Sequence, residues 1–502
     1  MPSPFNGDEM DGNNFNLSEK NLYEIWKGQN FKNSLKTSDG EIISVLEIGT
    51  HNTDSAGPDF KNARIRIGNF TFVGDIEIDS NYSDWKSHGH NIDSKYSKVV
   101  LHVTLQNKNN YGYVYTRDGR KVPSIYLSEQ IDPEIFKKIT VENNNKKNEA
   151  SGIKCSNSIK KISDNEKEKF VQKLGVIRFE KKCSKIFQRI KELHFLKELN
   201  VKEPVISYDL TAEFQQRKYT HSELAVKEIW QQLFYELIFE ALGYSKNKIQ
   251  MVNLAQAANI NFIKNIEKDG IIIEKYEAVL FKISGLTKDQ GAVSEMHAKN
   301  YLERSSLLWN SISPFYDGKI FEETDWHFFR LRPQNFPTVR IAGGARILYA
   351  ILYNDLISTI VKKITEINNL SVLINSLRSL FVIKTDGFWK KHYVFDQLTE
   401  SEIKYFVGAS RADEIVVNVI IPFFAVYFDV FGHSANSKKI VKLYSMYQQK
   451  SENQIIIDVA QALDFGEQLK KTVLAQGMLE LFRNYCSKNK CLECEIGKTI
   501  FN

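Results

Sequence analysis

The chain has 502 residues, 42% of them hydrophobic and 25% charged, a globular balance that excludes wholesale disorder and the fibrous classes. At roughly 100–200 residues per domain it has room for two to four domains. Lys and Arg number 67 against 61 Asp and Glu, a net +6 that is mild for this length: it permits a nucleic-acid partner without demanding one. Five Cys are too few, and an odd number, for the disulfide framework of a secreted protein. No apolar run reaches the ~18–20 residues of a membrane span. The longest, Ile415–Val430, is broken by Asn418 and Pro422 and reads as a buried helix. A cytoplasmic protein, away from the membrane, is the expectation.

Residues 1–20 are acidic and Asn-rich and read as a disordered leader rather than a signal peptide. A helix follows over Ser18–Gln29, with Leu22, Ile25 and Trp26 on one stripe. Thr37–Gly40 marks a turn before a strand over Glu41–Ile48, and His51–Asp59 is a polar loop. Ala63–Ile67 and Phe70–Val73 flank Gly68-Asn69, the two-residue signal of a tight hairpin. That turn pairs residues whose numbers sum to a constant. Ile67 then faces Phe70, Ile65 faces Phe72 and Ala63 faces Gly74 on one apolar face, with Arg66 facing Thr71 and Arg64 facing Val73 on the other. The second strand runs on through Asp75-Ile76-Glu77-Ile78-Asp79, placing three carboxylates on one face and two Ile on the other. Lys98–Leu105 is a further strand containing His102. Val141–Glu168, with its Asn143–Asn148 run, reads as the linker to a helical region. There, Asn165–Leu196, Ala225–Leu242, Leu370–Leu380, Ile415–Phe431 and Ile455–Tyr485 carry helical periodicity, the last interrupted at Gly466 and Gly477. The expected class is therefore α+β: a β-rich domain over 21–140, a linker over 141–168, a helical domain over 169–485 and a Cys-rich tail over 486–502.

Three patterns carry chemistry. Carboxylates on alternate positions of one strand repel when ionised, and so raise one another's pKa or recruit a hard cation such as Mg²⁺. Pro58-Asp59, then a hairpin, then Glu77-Ile78-Asp79 has the outline of a restriction-endonuclease-like core. In such a core, acidic groups on neighbouring strands hold a metal and a Lys two residues beyond the Glu orients the nucleophile. Here that position is Asp79. Strict hairpin register also sets Asp59 opposite Ile78, on the wrong face, unless a bulge or break near Pro58 corrects it. A solvated strand face is the plainer account of Asp75, Glu77 and Asp79. Ser83–Asp93 then concentrates His88, His90, Asp84, Asp93 and Trp85 in one loop, where His88 and His90 are placed to bind metal or move protons, or to satisfy backbone groups. His102, between Leu101 and Val103, reads as a hydrogen-bonded core histidine.

Several longer runs identify a family. Gly49–Asp54, Gly57–Ala63, Ser83–His90 and Val100–Val103 resemble the uncharacterised bacterial family known as domain of unknown function 2851. So do Arg330–Ala342 in the centre, and Gln476–Leu481 and Tyr485–Gly497 near the C-terminus. The resemblance covers nearly the whole chain and implies no established activity. It implies a Lys at the position of Asn81 and a His at that of Asp79, so this member lacks the family's Lys there, with Lys86 or Lys98 as possible substitutes.

The C-terminal Cys486-x4-Cys491-x2-Cys494 has the spacing of a Zn²⁺ or iron–sulfur site, its fourth ligand open among Cys183, Cys155, His433 or none, with free thiols or a redox-sensitive tail as the plainer account. The central motif gathers Arg330, Arg332, Arg340 and Arg346, whose planar forks suit phosphate, or else tie a helical interior together through ion pairs. The expected function is metal-dependent phosphodiester hydrolysis on DNA or RNA. Asp59, Glu77 and Asp79 would hold Mg²⁺, His88 or His90 would assist proton transfer, and Arg330, Arg332 and Arg340 would contact phosphate. The alternatives are a nucleic-acid-binding or assembly protein that keeps the domain without the chemistry, and a small-molecule enzyme built on the His-rich loop.

Overall fold

The structure is a computed structural model. It describes residues 19–131 and 153–501, apart from 30, 32–33, 38–39, 53–56, 92, 107–110, 129, 201–211, 289–292, 329–330, 400, 449–452 and 466–470. The expected leader, the Asn143–Asn148 run, Arg330 and Gly466 lie outside the described residues. The chain divides into two units, 1–149 and 150–502: an N-terminal unit built on a β-sheet and a larger helical unit. The division falls inside the expected linker, but the C-terminal part of that stretch is folded. Ser156–Lys161 is a 3-10 helix, and a 35-residue helix begins at Asp164, capped by Ser163 and Glu166.

In the N-terminal unit, helix α1 (Glu19–Gly28) precedes an eight-stranded mixed sheet: β1 (Leu35–Lys36), β2 (Ile42–Glu47), β3 (Thr50–His51), β4 (Phe60–Ile67), β5 (Phe70–Asn81), β6 (Val99–Gln106), β7 (Tyr113–Tyr115) and β8 (Lys121–Tyr126). Its order is β1-β2-β4-β5-β6-β8-β7, with β3 added against β4. One face of the sheet packs Phe60, Ala63, Ile65, Ile76, Ile78, Leu101 and Val103 against Leu22, Ile25 and Trp26 of α1.

The β4–β5 hairpin has the expected register at its tip: Ile67 pairs with Phe70, Ile65 with Phe72 and Ala63 with Gly74. Its apolar face is not uniformly covered, however. Ile65 and Ile67 are buried while Phe70 and Phe72 are exposed. The reason is the sheet's outline: β6 joins β5 only from Asp75, so the start of β5 has β4 alone beside it. Lower in the hairpin the register slips by one, and Phe60 pairs with Ile76. The bulge residue, Asn62, takes a left-handed conformation (φ 57°) that Asn tolerates better than most residues, and its amide donates to Asp75 Oδ1 at 3.0 Å. This bulge brings Asp59 opposite Glu77 rather than Ile78. The correction that strict register required exists, displaced a few residues from Pro58.

β5 and β6 run parallel, as do β6 and β8, while the other neighbours are antiparallel. Parallel neighbours need a crossover connection. Residues 82–98 supply it, with the short helix α2 (Asp84–Ser87) and a 3-10 turn at Ser94–Tyr96.

The helical unit is organised around Asp164–Glu198, Lys227–Leu242, Ile272–Ser284, Pro337–Tyr353 and Thr472–Asn484. Ile415–Val430 is buried as expected, though as two α segments joined by a π-helical turn over Val416–Ile420, not one regular helix. Ile455–Tyr485 likewise divides, into Gln454–Ala462 and Thr472–Asn484, with Gly477 inside the second helix. Among the described residues no helix is long and apolar enough to cross a membrane.

Gly477 does not break its helix because it serves a crossing. A Cβ there would stand 1.9 Å from Val171 O, and a Cβ on Gly175 would stand 2.0 Å from Val473 O. The helices Asp164–Glu198 and Thr472–Asn484 thus approach backbone to backbone at two reciprocal points. Gly175→Ala and Gly477→Ala are expected to destabilise this unit by at least the ~1–3 kcal/mol of ordinary overpacking, because the obstructing atoms are main chain and cannot rotate away. Denaturant unfolding checks this, with Gly270→Ala, an exposed site with nothing within 4 Å of the added methyl, expected to stay near wild type.

Candidate metal centre

The face of the sheet opposite α1 carries the chemistry. Across it, β5 pairs Glu77 with His102 of β6, and His102 in turn pairs with Ser124 of β8. With Asp59 beside Glu77 just ahead of β4, the polar row crosses β5, β6 and β8, and Asp79 stands one step further along β5. These groups are not solvated. Asp59, Asp75, Glu77, Asp79 and His102 are all buried, Asp79 at 2% exposure, because the β5–β6 crossover lies over them with Trp85 and Tyr96 in its underside. The plain solvated-strand account of the carboxylates therefore fails.

Burial of so many charges requires partners, and most are within the unit. Asp59 Oδ1 accepts from Tyr23 Oη at 2.9 Å and Oδ2 from the Ile78 amide at 3.1 Å, while the Asp59 amide donates to Glu77 Oε2 at 3.1 Å. Asp59 thus orients Glu77 and is itself held by α1 and β5. Asp79 Oδ2 faces His102 Nε2 at 3.1 Å, and His102 Nδ1 faces Ser124 Oγ at 3.0 Å. An ionised carboxylate only accepts, so the imidazole proton sits on Nε2 and Nδ1 receives the hydroxyl. Burial lowers the His102 pKa, against the pull of Asp79, which keeps the ring neutral.

The other oxygen of Asp79 faces the crossover. His88 Nδ1 lies 3.2 Å from Asp79 Oδ1, and His90 Nε2 lies 3.8 Å from the same atom and 3.1 Å from Glu77 Oε1. His90 Nε2 is buried, yet its contacts are out of line for a hydrogen bond: ion-pair attraction is present and hydrogen-bond satisfaction is not. One ligand atom each from Asp79, His88 and His90 fall within 4.8 Å of one another. Two imidazoles and a carboxylate converging on one point is a recognised donor set for a transition ion. A ring nitrogen that finds no hydrogen-bond geometry inside a buried cluster is what such a set leaves behind. His102 is the outer partner that turns Asp79 toward that point, and Ser124 in turn fixes His102.

The electrostatics agree. Burial pushes the Glu77 carboxyl up to about 8, with Asp59 and Asp79 adding to the rise and His90 opposing it. For Asp79 burial acts upward, but the bond to His102 and the attraction of His90 outweigh it and hold the group well below the carboxylate range. Burial works against a charged His90, yet Asp79 and Glu77 prevail and lift it to about 9. The cluster is an excess of negative charge in a dry place, offset by protons.

Of the predicted site residues, the fold brings Asp59, Glu77, Asp79, His88 and His90 together. Asp59 joins with each of its oxygens accepting a hydrogen bond, from Tyr23 and from the Ile78 amide. Sequence reasoning left His102 in the core and passed over Tyr23 and Ser124; nothing local marks them, because their roles come from residues distant in the chain, Asp59 for Tyr23 and the neighbouring strands for His102 and Ser124. Lys86 and Lys98, the possible substitutes for the missing Lys, are both exposed. Among the arginines, Arg332 is exposed. Arg340 is buried, with its guanidinium donating to Phe406 O, to Tyr244 Oη at 2.6 Å and to Asn335 Oδ1 at 2.7 Å. Arg346 is bound to Glu277 and Asp386. Arg340 and Arg346 therefore tie the helix Pro337–Tyr353 to neighbouring segments, with the Arg340 guanidinium engaged in internal bonds.

Mn²⁺ binding at this centre is expected to raise the unfolding midpoint of the full chain. The gain is ~2.7 kcal/mol at a free concentration a hundredfold above Kd. His88→Ala should abolish the shift and leave the metal-free midpoint nearly unchanged, because the His88 side chain is 47% exposed. An undiminished Mn²⁺ shift in His88→Ala would refute the ligand set.

In comparisons with known proteins, no curated protein and no solved structure matches the chain. One family model does, described as a protein of unknown function (DUF2851), over residues 19–201 and 205–454. That match spans both units and the segments holding the carboxylates and histidines, and the chain belongs to the DUF2851 family.

Proposed function

We propose that the N-terminal unit is a metal-dependent hydrolase of nucleic-acid phosphodiesters, with Asp79, His88 and His90 holding the ion. The observation that carries this reading is the convergence of these three ligand atoms around a buried His90 nitrogen without a hydrogen bond. Three protein ligands leave a coordination position for water, and a bound divalent ion supplies a lower pKa for that water and charge neutralisation at a phosphate. Glu77, 3.1 Å from His90 Nε2 and with its carboxyl pushed up to about 8, is placed to exchange a proton. Asp59 orients it through its main-chain amide. Two imidazoles and one carboxylate suit Mn²⁺, Zn²⁺ or Fe²⁺ better than Mg²⁺, which takes oxygen ligands and waters. The expected Mg²⁺ is revised accordingly. Phosphodiesters are favoured as substrate by the Pro58-Asp59 and Glu77 outline of a restriction-endonuclease-like core.

The second reading, a nucleic-acid-binding protein without the chemistry, is favoured by Asp79 itself. It stands where that outline has Lys, and Lys86 and Lys98 are exposed. Incubation of the full chain with labelled single- and double-stranded DNA and RNA, under Mn²⁺ and Mg²⁺, separates the two. Cleavage is expected with Mn²⁺. Asp79→Asn and His90→Ala should reduce it by more than the ~10–100-fold typical of losing an outer partner of a metal ligand. Binding without cleavage, unaltered by Asp79→Asn, selects the second reading, and neither binding nor cleavage refutes both.

A further inference from the structure

The helical unit contains a second cluster of metal-ligating side chains. Cys486, Cys491 and Cys494 follow the helix Thr472–Asn484 on two short 3-10 turns, Cys486–Lys488 and Cys491–Glu493. They do not stand alone. Cys155, from the opposite end of the unit's sequence, lines the same small cavity, with Ile153 and Tyr485 completing its wall. The fifth cysteine, Cys183, sits elsewhere, its Sγ 3.8 Å from Pro422 O. All five are free thiols.

The backbone around the cavity is built closely. A Cβ on Gly497 would stand 2.0 Å from Cys491 O, so the last helix, Glu495–Phe501, packs its main chain directly on Cys491. The amides of Ile496 and Gly497 reach the Cys494 sulfur, the kind of donation that steadies a thiolate. Four cysteine sulfurs gathered on one apolar pocket form a donor set for a metal centre, whose binding draws off the thiol protons.

Spacing indicates the kind of centre. A tetrahedral zinc with bonds of ~2.3 Å sets its sulfurs ~3.8 Å apart. Among the described residues, the group whose ligand atoms lie within 4.8 Å of one another is Asp79, His88 and His90, and no three of the cysteines meet that spacing. A four-iron cluster gives each sulfur its own iron and holds the ligands farther apart around a common core.

We infer that Cys155, Cys486, Cys491 and Cys494 together ligate one [4Fe–4S] cluster, with Cys155 as the fourth ligand that the C-terminal motif lacks. The inference is independent of the proposed hydrolase. Bound in this way, the cluster joins the segment ahead of the long helix Asp164–Glu198 to the chain's last helix.

The test uses the full chain purified without oxygen, analysed for iron, acid-labile sulfide, zinc and visible charge-transfer absorption. About four iron and four sulfide per chain are expected, as the cluster's composition requires. Cys155→Ser and Cys491→Ser should each lose most of both, and Cys183→Ser should keep them. Wild-type protein that holds no iron, or that holds one zinc per chain, overturns the inference whether or not the variants fold. Full iron and sulfide in Cys155→Ser overturns the assignment of that residue.

Discussion

Parallel pairing of β5 with β6 is the constraint on which the N-terminal site depends. Two parallel neighbours cannot be joined by a tight turn, so the chain after Asn81 must leave the sheet, cross one of its faces and return. The face it crosses carries Asp59, Glu77 and Asp79. That single topological requirement does three things. It buries carboxylates that would otherwise be solvated, it delivers His88 and His90 above them, and it seats Trp85 and Tyr96 as their apolar underside. Had β5 and β6 been antiparallel neighbours joined by a hairpin, the same residues would have lain on an open strand surface with ordinary acidity.

Once buried, the carboxylates are governed by electrostatics. Each charge removed from water is costly unless it is paired. The unit meets that requirement unequally, and the inequality differentiates the three groups. Asp59 is satisfied by Tyr23 and a main-chain amide and becomes a fixed support. Asp79 is held ionised by His102. Glu77 is pushed up to about 8, chiefly by its burial. Pushing the pKa values of neighbouring carboxylates apart is how one site obtains both a persistent anion and a proton-exchanging group. The β4 bulge is essential to the pattern, since without the one-residue slip Asp59 would face Ile78 on the apolar side of the sheet.

Much of the local structure was legible in the residues. The Gly68-Asn69 turn set the register at the hairpin tip, the stripe of Leu22, Ile25 and Trp26 marked α1, and the alternation of Asp75 to Asp79 placed the carboxylates on one face. The positions that escaped share a cause. The bulge at Asn62 is stabilised by Asp75, thirteen residues away, and no local pattern announces it. His102 resembles any strand histidine until Asp79 and Ser124 are known to flank it. Arg340 resembles a phosphate fork until the main chain of Phe406 closes over it.

The amino-acid sequence by itself determined the mixed α/β composition, the order of β-rich and helical regions, the clustered donor residues and the family. These follow from hydrophobic period, turn chemistry and residue spacing, all of which act over a few positions along the chain. Only the tertiary structure decided which donors meet. It set His88 and His90 against Asp79, held Asp59 against Tyr23 and the Ile78 amide, and brought Cys155 to the C-terminal cysteines. Those encounters depend on strand order, a bulge and a helix crossing that permits backbone contact at Gly175 and Gly477, and such features are fixed by packing between segments far apart in the chain.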